Sequence, residues 1–236
     1  MGKCIIVCNG DVENYELFKD MFDKDSFVIC ADGGSRHLRK IGIFPNIIMG
    51  DLDSSTLENV KYFQDLGTEV RTFPTEKDYT DTELAFLEAI NMGFKSIKIL
   101  SCIGQRFDHT LANIFLLKKA VDSDVECCIQ NENNKITMLK GDKNNQNHKD
   151  NKDNKDHKKI NMSKKIFENE MNFKISLLPI SLACKGVSIT GVKYPLNNAT
   201  VKMGEAIGIS NEFTEKSALV TIKEGLLLVI LSKDEN

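Results

Sequence analysis

The sequence predicts an α/β fold class: a parallel-sheet domain comes first and a small antiparallel β-sandwich domain follows it. Three observations predict this. Up to about residue 140, short β-rich runs alternate with longer helical patterns. Residues 142–159 contain only Asp, Lys, Asn, Gln and His. From Phe173 onward, short strand-like runs follow one another with Gly, Pro and Asn between them. Strands alternating with helices produce parallel βαβ units with right-handed crossovers, whereas consecutive short strands with turn signals make antiparallel sandwiches.

Taken in order, the strands expected in the first part are Cys4–Cys8, Phe27–Ala31, Ile47–Gly50, Thr68–Phe73, Ile97–Cys102 and Val125–Gln130. Rich in Ile, Val and Cys, they suit a sheet covered on both faces. Helical spacing of apolar residues marks Thr80 to Met92, with Asp81 in the first turn where negative charge suits the helix dipole. A second helix is expected from Asp108 to about Ala120. The polar tract has nothing to bury and cannot offset the entropy of ordering itself. The later strands are expected at Phe173–Ser181, Gly186–Ile189, Thr200–Lys202, Ala218–Lys223 and Leu226–Ser232. The domain division is therefore 1–141 for the α/β part, 142–165 for a polar insertion, and 166–236 for the sandwich.

Composition excludes several classes. With 236 residues the chain is long enough to build real hydrophobic cores without disulfides or a structural metal. A net charge of −3, with 41% hydrophobic and 28% charged residues, fits neither a nucleic-acid binder nor a membrane protein. The opening run Cys4–Cys8 is too short for a signal peptide or a span and reads as a buried strand. Seven cysteines, an odd number, lie mostly in apolar stretches, and no Cys-x2-Cys pair exists. They read as reduced core residues in a cytoplasmic protein, and a zinc site is not expected.

The chemistry is carried by where the aspartates fall. Asp32 follows the second strand, Asp51 and Asp53 the third, Asp78 and Asp81 the fourth, and Asp108 the fifth. In a parallel sheet these positions share the carboxyl edge, where α/β folds bind ligands. Six carboxylates are thus expected to converge. Converging carboxylates repel unless they share a cation, and an oxygen-only set suits magnesium. Within Asp51-Leu52-Asp53, strand-like alternation puts both carboxylates on one face, and with Asp81 they form the expected metal cradle. Gly33-Gly34 ahead of a helix offers backbone amides, and Lys77 and Arg106 add positive charge beside the acids. The set reads as a nucleoside triphosphate site. No Gly-x4-Gly-Lys-Ser/Thr loop and no Gly-x-Gly-x-x-Gly after a strand occurs, which disfavours P-loop enzymes and dinucleotide dehydrogenases.

In this order, Ala31-Asp32-Gly33-Gly34, Gly50-Asp51-Leu52-Asp53-Ser54, Lys77-Asp78-Tyr79-Thr80-Asp81 and Arg106-Phe107-Asp108-His109 with Asn113 resemble the successive signatures of the thiamine pyrophosphokinases. Later, Lys193-Tyr194-Pro195-Leu196 and Gly208-Ile209-Ser210-Asn211 are similar to that family's thiamine-side segments. The resemblance implies a Rossmann-like catalytic domain, a thiamine-binding sandwich, and a homodimer with active sites shared between subunits. It implies that pyrophosphate passes from ATP to the hydroxyl of thiamine. Carried over by motif, Asp51, Asp53 and Asp81 hold Mg2+. For in-line attack by the hydroxyl, Asp78 or Asp81 is the candidate base. Asp32, Gly33, Lys77, Thr80, Arg106, Asp108, His109 and Asn113 hold or orient ATP, and Ser210 and Asn211 meet thiamine. Two departures stand out. The usual Gly-Gly-Arg is here Gly104-Gln105-Arg106, and the chain has no tryptophan to stack on thiamine, which leaves Leu226-Leu227-Leu228 as an aliphatic wall. The alternatives are a pyrophosphokinase for another hydroxymethyl heterocycle such as a pterin, and a non-catalytic nucleotide or thiamine-diphosphate sensor. The sandwich segments favour thiamine, and the retained carboxylates disfavour a sensor.

Overall fold

The computed structural model describes residues 2–51, 57–73, 78–141 and 163–234. The chain divides into two compact units, Met1–Ala120 with Cys127–Glu132, and Val121–Glu126 with Asn133–Asn236. A mixed α/β sheet unit and an antiparallel β unit are what the sequence predicts.

The first unit contains strands β1 (Cys4–Val7), β2 (Phe27–Ala31), β3 (Ile47–Gly50), β4 (Glu69–Thr72), β5 (Ser96–Leu100) and β6 (Glu126–Gln130) in the order β4-β3-β2-β1-β5-β6. The pairs β1–β2, β1–β5, β2–β3 and β3–β4 are parallel. Its helices are α1 (Tyr15–Asp20), α2 (Ser35–Ile41), α3 (Leu57–Asp65), α4 (Asp81–Asn91) and α5 (Phe107–Asp122). All four residues of β1 and of β3 are buried, because both faces of the sheet are covered. On one face Ile5, Val7, Val28, Cys30 and Ile48 pack with Phe18 of α1, Leu38 and Ile41 of α2, and Val60 and Phe63 of α3. α4 lies against β1, β2 and β3 and buries Ala85, Phe86 and Ala89.

Consecutive strands run outward from β1 through β2, β3 and β4, and the chain then returns through α4 to β5 on the other side of β1. Between β1 and β5 the winding therefore reverses. The carboxyl edge at such a reversal is the usual ligand position in these sheets.

The second unit contains β7 (Asn134–Gly141), β8 (Lys164–Glu168), β9 (Phe173–Pro179), β10 (Ala183–Thr190), β11 (Leu196–Lys202), β12 (Ser217–Thr221) and β13 (Gly225–Lys233). β13 pairs antiparallel with β7 on one side and β9 on the other. The remaining strands form a sheet of order β11-β10-β12-β8, also antiparallel. Leu139, Ile175, Leu177, Leu227, Val229 and Leu231 from the first set pack with Phe167, Cys184, Val187, Ile189, Val201, Ala218 and Val220 from the second. This is a sandwich core.

Two differences from the sequence reading concern this unit. β7 is an additional strand, and it pairs with the last strand, β13. The polar insertion expected over 142–165 overruns the start of β8, since Lys164 and Lys165 already pair with Thr221 and Val220. Residues 142–162 lie outside the described set. Among the described residues no helix is long and apolar enough to cross a membrane.

Candidate active site

The crevice at the carboxyl edge of the first unit has a volume of about 510 Å³. Its walls come from four places in the chain: Cys8–Asp11 after β1, Ala31 and Asp32 at the end of β2, Thr80–Thr82 at the start of α4, and residues between Cys102 and Asn113 after β5. Backbone pairing continues past the strands and fixes two of these loops together. Gly10 N–H donates to the Ser101 carbonyl at 2.6 Å, Asp11 N–H to that of Ile103 at 3.1 Å, and the Ser101 hydroxyl to the Cys8 carbonyl at 2.7 Å. A Cβ on Gly10 would come within 2.5 Å of the Ser101 oxygen, so this approach requires glycine.

Asp32, Asp51 and Asp81 present carboxylate oxygens that all lie within 4.8 Å of one another, and each residue is half-buried. Asp32 sits at a positive φ of 45° in a short 3₁₀ turn directly after β2. Asp51 follows β3. Asp81 opens α4, whose N-cap is Thr80: the Thr80 hydroxyl oxygen accepts from Glu83 N–H at 3.2 Å. The cap fixes the first turn, and the Thr82 hydroxyl ties the same turn to β1 by donating to Cys8 Sγ at 3.4 Å. Three acids from three elements, with oxygens this close, are a donor set that fits a divalent cation with oxygen preference.

The cationic side of the crevice is Arg106. Its guanidinium grips the Asp108 carboxylate with two hydrogen bonds, of 3.3 and 2.7 Å. Both residues are exposed, and the pairing raises the Arg106 pKa and lowers that of Asp108. Asn113 is buried and donates to the Cys102 carbonyl at 2.8 Å, and Gly104 N–H donates to the Thr110 hydroxyl at 3.2 Å. These contacts shape the β5–α5 loop. The thiols in the walls are not nucleophiles. Burial pushes Cys8 up to about 12 against the opposing Thr82 hydrogen bond, and burial raises Cys102 well above the ordinary range.

The expected residues are placed as follows. Asp32, Asp51 and Asp81 come together, and Asp32, Thr80, Asp81, Arg106, His109 and Asn113 line the crevice. Asp78 is exposed beside the Thr80 cap, and Asp108 faces Arg106. Asp53 and Lys77 lie outside the described residues. Gly33 is buried beside the loop after β1 and is not among the lining residues: a Cβ there would fall 2.4 Å from the Asn9 side chain, and one on Gly34 would fall 2.4 Å from the Val7 oxygen of β1. Gly33 thus leaves room for the Asn9 side chain, and Gly34 for the backbone of Val7 and Cys8. Asn9, Gly10, Asp11 and Thr82 are wall residues that the sequence reading did not single out. Asn9-Gly10-Asp11 follows β1 as the other acid-bearing loops follow their strands, and that signal was available.

In the second unit Ser210 is exposed, has a positive φ of 54°, and lines a groove of about 330 Å³ with Lys174, Ser176 and Ile209. Its N–H donates to the Ser176 hydroxyl at 2.9 Å. Asn211 is buried, and both ends of its amide are engaged by one residue: Oδ1 accepts from Tyr194 N–H at 3.0 Å and Nδ2 donates to the Tyr194 carbonyl at 2.8 Å. Its amide therefore supports the Lys193–Leu196 segment.

A family model described as "Thiamin pyrophosphokinase, catalytic domain" matches residues 18–129, and one described as "Thiamin pyrophosphokinase, vitamin B1 binding domain" matches residues 161–227. The chain belongs to the thiamine pyrophosphokinase family. A thiamine pyrophosphokinase of Bacillus subtilis is 29% identical over 212 residues, covering 90% of this chain and 90% of that protein. Thiamin pyrophosphokinase 1 of Caenorhabditis elegans is 24% identical, covering 90% of this chain and 82% of that protein. The crystal structure of the Bacillus subtilis thiamine pyrophosphokinase superposes with a TM-score of 0.82 at 27% identity, covering 99% of this chain and 100% of that one. A thiamin pyrophosphokinase from Candida albicans, at 18% identity and a TM-score of 0.72, shares the fold over 98% of this chain and 89% of its own.

Proposed function

We propose that this chain transfers the pyrophosphoryl group of ATP to the hydroxyl of thiamine, giving thiamine diphosphate and AMP. The observation that carries this reading is the meeting of Asp32, Asp51 and Asp81 at the crevice edge, within a chain matched along both thiamine pyrophosphokinase domains. The thiamine hydroxyl oxygen attacks the β-phosphorus of ATP in line. The bond between that phosphorus and the oxygen bridging to the α-phosphorus breaks, AMP leaves with the electron pair, and the hydroxyl proton passes to a carboxylate, Asp81 or Asp78. No covalent enzyme intermediate is needed, in keeping with the neutral thiols of the walls. Catalysis then consists of positioning and charge stabilisation.

Asp51, Asp53 and Asp81, with Asp32 beside them, would hold Mg2+. When bound, the cation neutralises the polyphosphate and lets an oxygen nucleophile approach. Arg106, oriented by Asp108, and Lys77 complement the phosphates, and Thr80 and Asn113 hold the loops that carry them. We assign ATP to the first unit and thiamine to the second, with Ser210 as the contacting residue and Asn211 holding the neighbouring Lys193–Leu196 segment through Tyr194. The protein works in the cytoplasm as a homodimer with shared active sites. The exposed stripe Phe107, Leu111 and Phe115 on α5 supports a partner lying at the rim of the crevice. Incubating purified protein with ATP, Mg2+ and thiamine tests the reading: AMP should form in step with thiamine diphosphate. Release of ADP would overturn the reaction class.

A further inference from the structure

α2 carries a histidine that the proposed chemistry does not use. His37 is 2% exposed, and both ring nitrogens are engaged. Nε2 lies 2.9 Å from the Gly10 carbonyl oxygen, and Nδ1 lies 2.8 Å from the Tyr15 hydroxyl. A carbonyl only accepts, so Nε2 carries the proton, and a neutral ring then leaves Nδ1 to accept from Tyr15. The neighbouring Arg36 donates to the Asn9 carbonyl at 3.1 Å and the Gly10 carbonyl at 3.4 Å. The β1–α1 loop is thus held from both sides. Its amides pair with the β5–α5 loop at Ser101 and Ile103, and its carbonyls are gripped by α2.

This loop forms one wall of the crevice, and Asn9, Gly10 and Asp11 all line it. The side chain of Asn9 packs against Gly33, one residue from Asp32. A shift of the Gly10 carbonyl therefore moves the wall relative to the acids. Burial drives the His37 pKa down to about 4, aided by the Arg36 and Lys40 charges and opposed by Asp11 and by the Gly10 hydrogen bond. The ring is neutral, and the donor–acceptor pattern intact, at pH values well above 4.

The geometry points to His37 as a positioning residue for the ATP site, acting through the Gly10 carbonyl, with Tyr15 selecting the tautomer that donates to it. This rests on reading the crevice as the ATP site. Three variants test it: His37→Leu removes the donor, His37→Gln keeps an amide N–H at a similar reach, and Tyr15→Phe removes only the tautomer selector. ATP affinity is measured by calorimetry with a non-hydrolysable analogue, alongside KM for ATP and for thiamine.

We expect His37→Leu to weaken ATP binding about 3- to 10-fold, the range of one lost hydrogen bond, with KM for thiamine unchanged. His37→Gln should restore most of the loss, and Tyr15→Phe should give a smaller loss in the same direction. Unchanged ATP affinity in both His37→Leu and Tyr15→Phe would overturn the assignment, as would equal loss in His37→Leu and His37→Gln. If His37→Leu fails to fold, the other two variants decide. Wild-type protein that binds the analogue but yields no AMP with thiamine would count against the proposed reaction alone.

Discussion

His37 is also a point where pH acts on the fold. In the unfolded chain its pKa is the ordinary 6.5, and in the folded protein about 4. Between these values the unfolded state binds more protons, so stability is full above about 6.5 and falls as pH drops towards 4. The urea midpoint should therefore fall from pH 7 to pH 4.5 by less in His37→Gln than in the wild type, and an equal fall in both would contradict the buried neutral ring. Among the acids, Asp81→Asn and Asp51→Asn should each lower turnover by roughly 100-fold or more, the scale of losing charge stabilisation in a preorganised site, with unchanged circular dichroism. In the second unit Ser210 and Asn211 should separate cleanly. Asn211→Ala leaves two backbone groups of Tyr194 without their partner and should destabilise by about 1–3 kcal/mol. Ser210→Ala should weaken thiamine binding and leave the melting temperature in place. The meeting of Asp32, Asp51 and Asp81 was legible because each acid directly follows a strand or opens a helix at the same edge. The role of Asn211 was not, since a side chain's choice between ligand and neighbouring backbone depends on residues 17 positions away.

At the scale of elements, Thr80 and α4 connect sequence to chemistry. Thr80→Val removes the cap acceptor and should cost about 1 kcal/mol of stability. It also frees the first turn that carries Asp81, so turnover should fall further than the lost stability alone accounts for. Most strands were legible because they are short, rich in Ile and Val, and bounded by turn residues. β7 was not: Ile136, Thr137, Met138 and Leu139 are all buried, so the run has no alternation to read, and Lys and Asn flank it. β8 was hidden for the opposite reason. It is an edge strand that gives the core only Phe167, and its lysines suit an exposed edge but look like a continuation of the polar tract. α1 has six residues, too few for periodicity, and its start is marked only by Asn14, whose side chain accepts from Glu16 and Leu17 N–H. Strand order too lay beyond local pattern, because the reversal of winding at β1 is a property of pairing between distant residues.

For the molecule as a whole, each unit has its own apolar core, and neither core includes the three site acids. Chelation by EDTA should therefore abolish activity while leaving the melting curve unchanged in shape, and unfolding on chelation would contradict a purely catalytic metal. Phe107, Leu111 and Phe115, at 69%, 38% and 53% exposure, lie four residues apart along α5. If the proposed dimer forms through this stripe, Phe115→Glu should give monomers in sedimentation where the wild type gives dimers, and activity should fall with it; a variant as dimeric as the wild type would move the interface elsewhere. The position of β13 between β7 and β9 has a consequence for biosynthesis. By the time residue 130 has left the ribosome, β1 to β6 of the first unit have all emerged, whereas the second unit waits for the stretch Gly225–Lys233. Until that seam is synthesised, two strands have edges open to wrong partners, so a premature stop before Gly225 should yield a chain that chaperones retain rather than a smaller working enzyme.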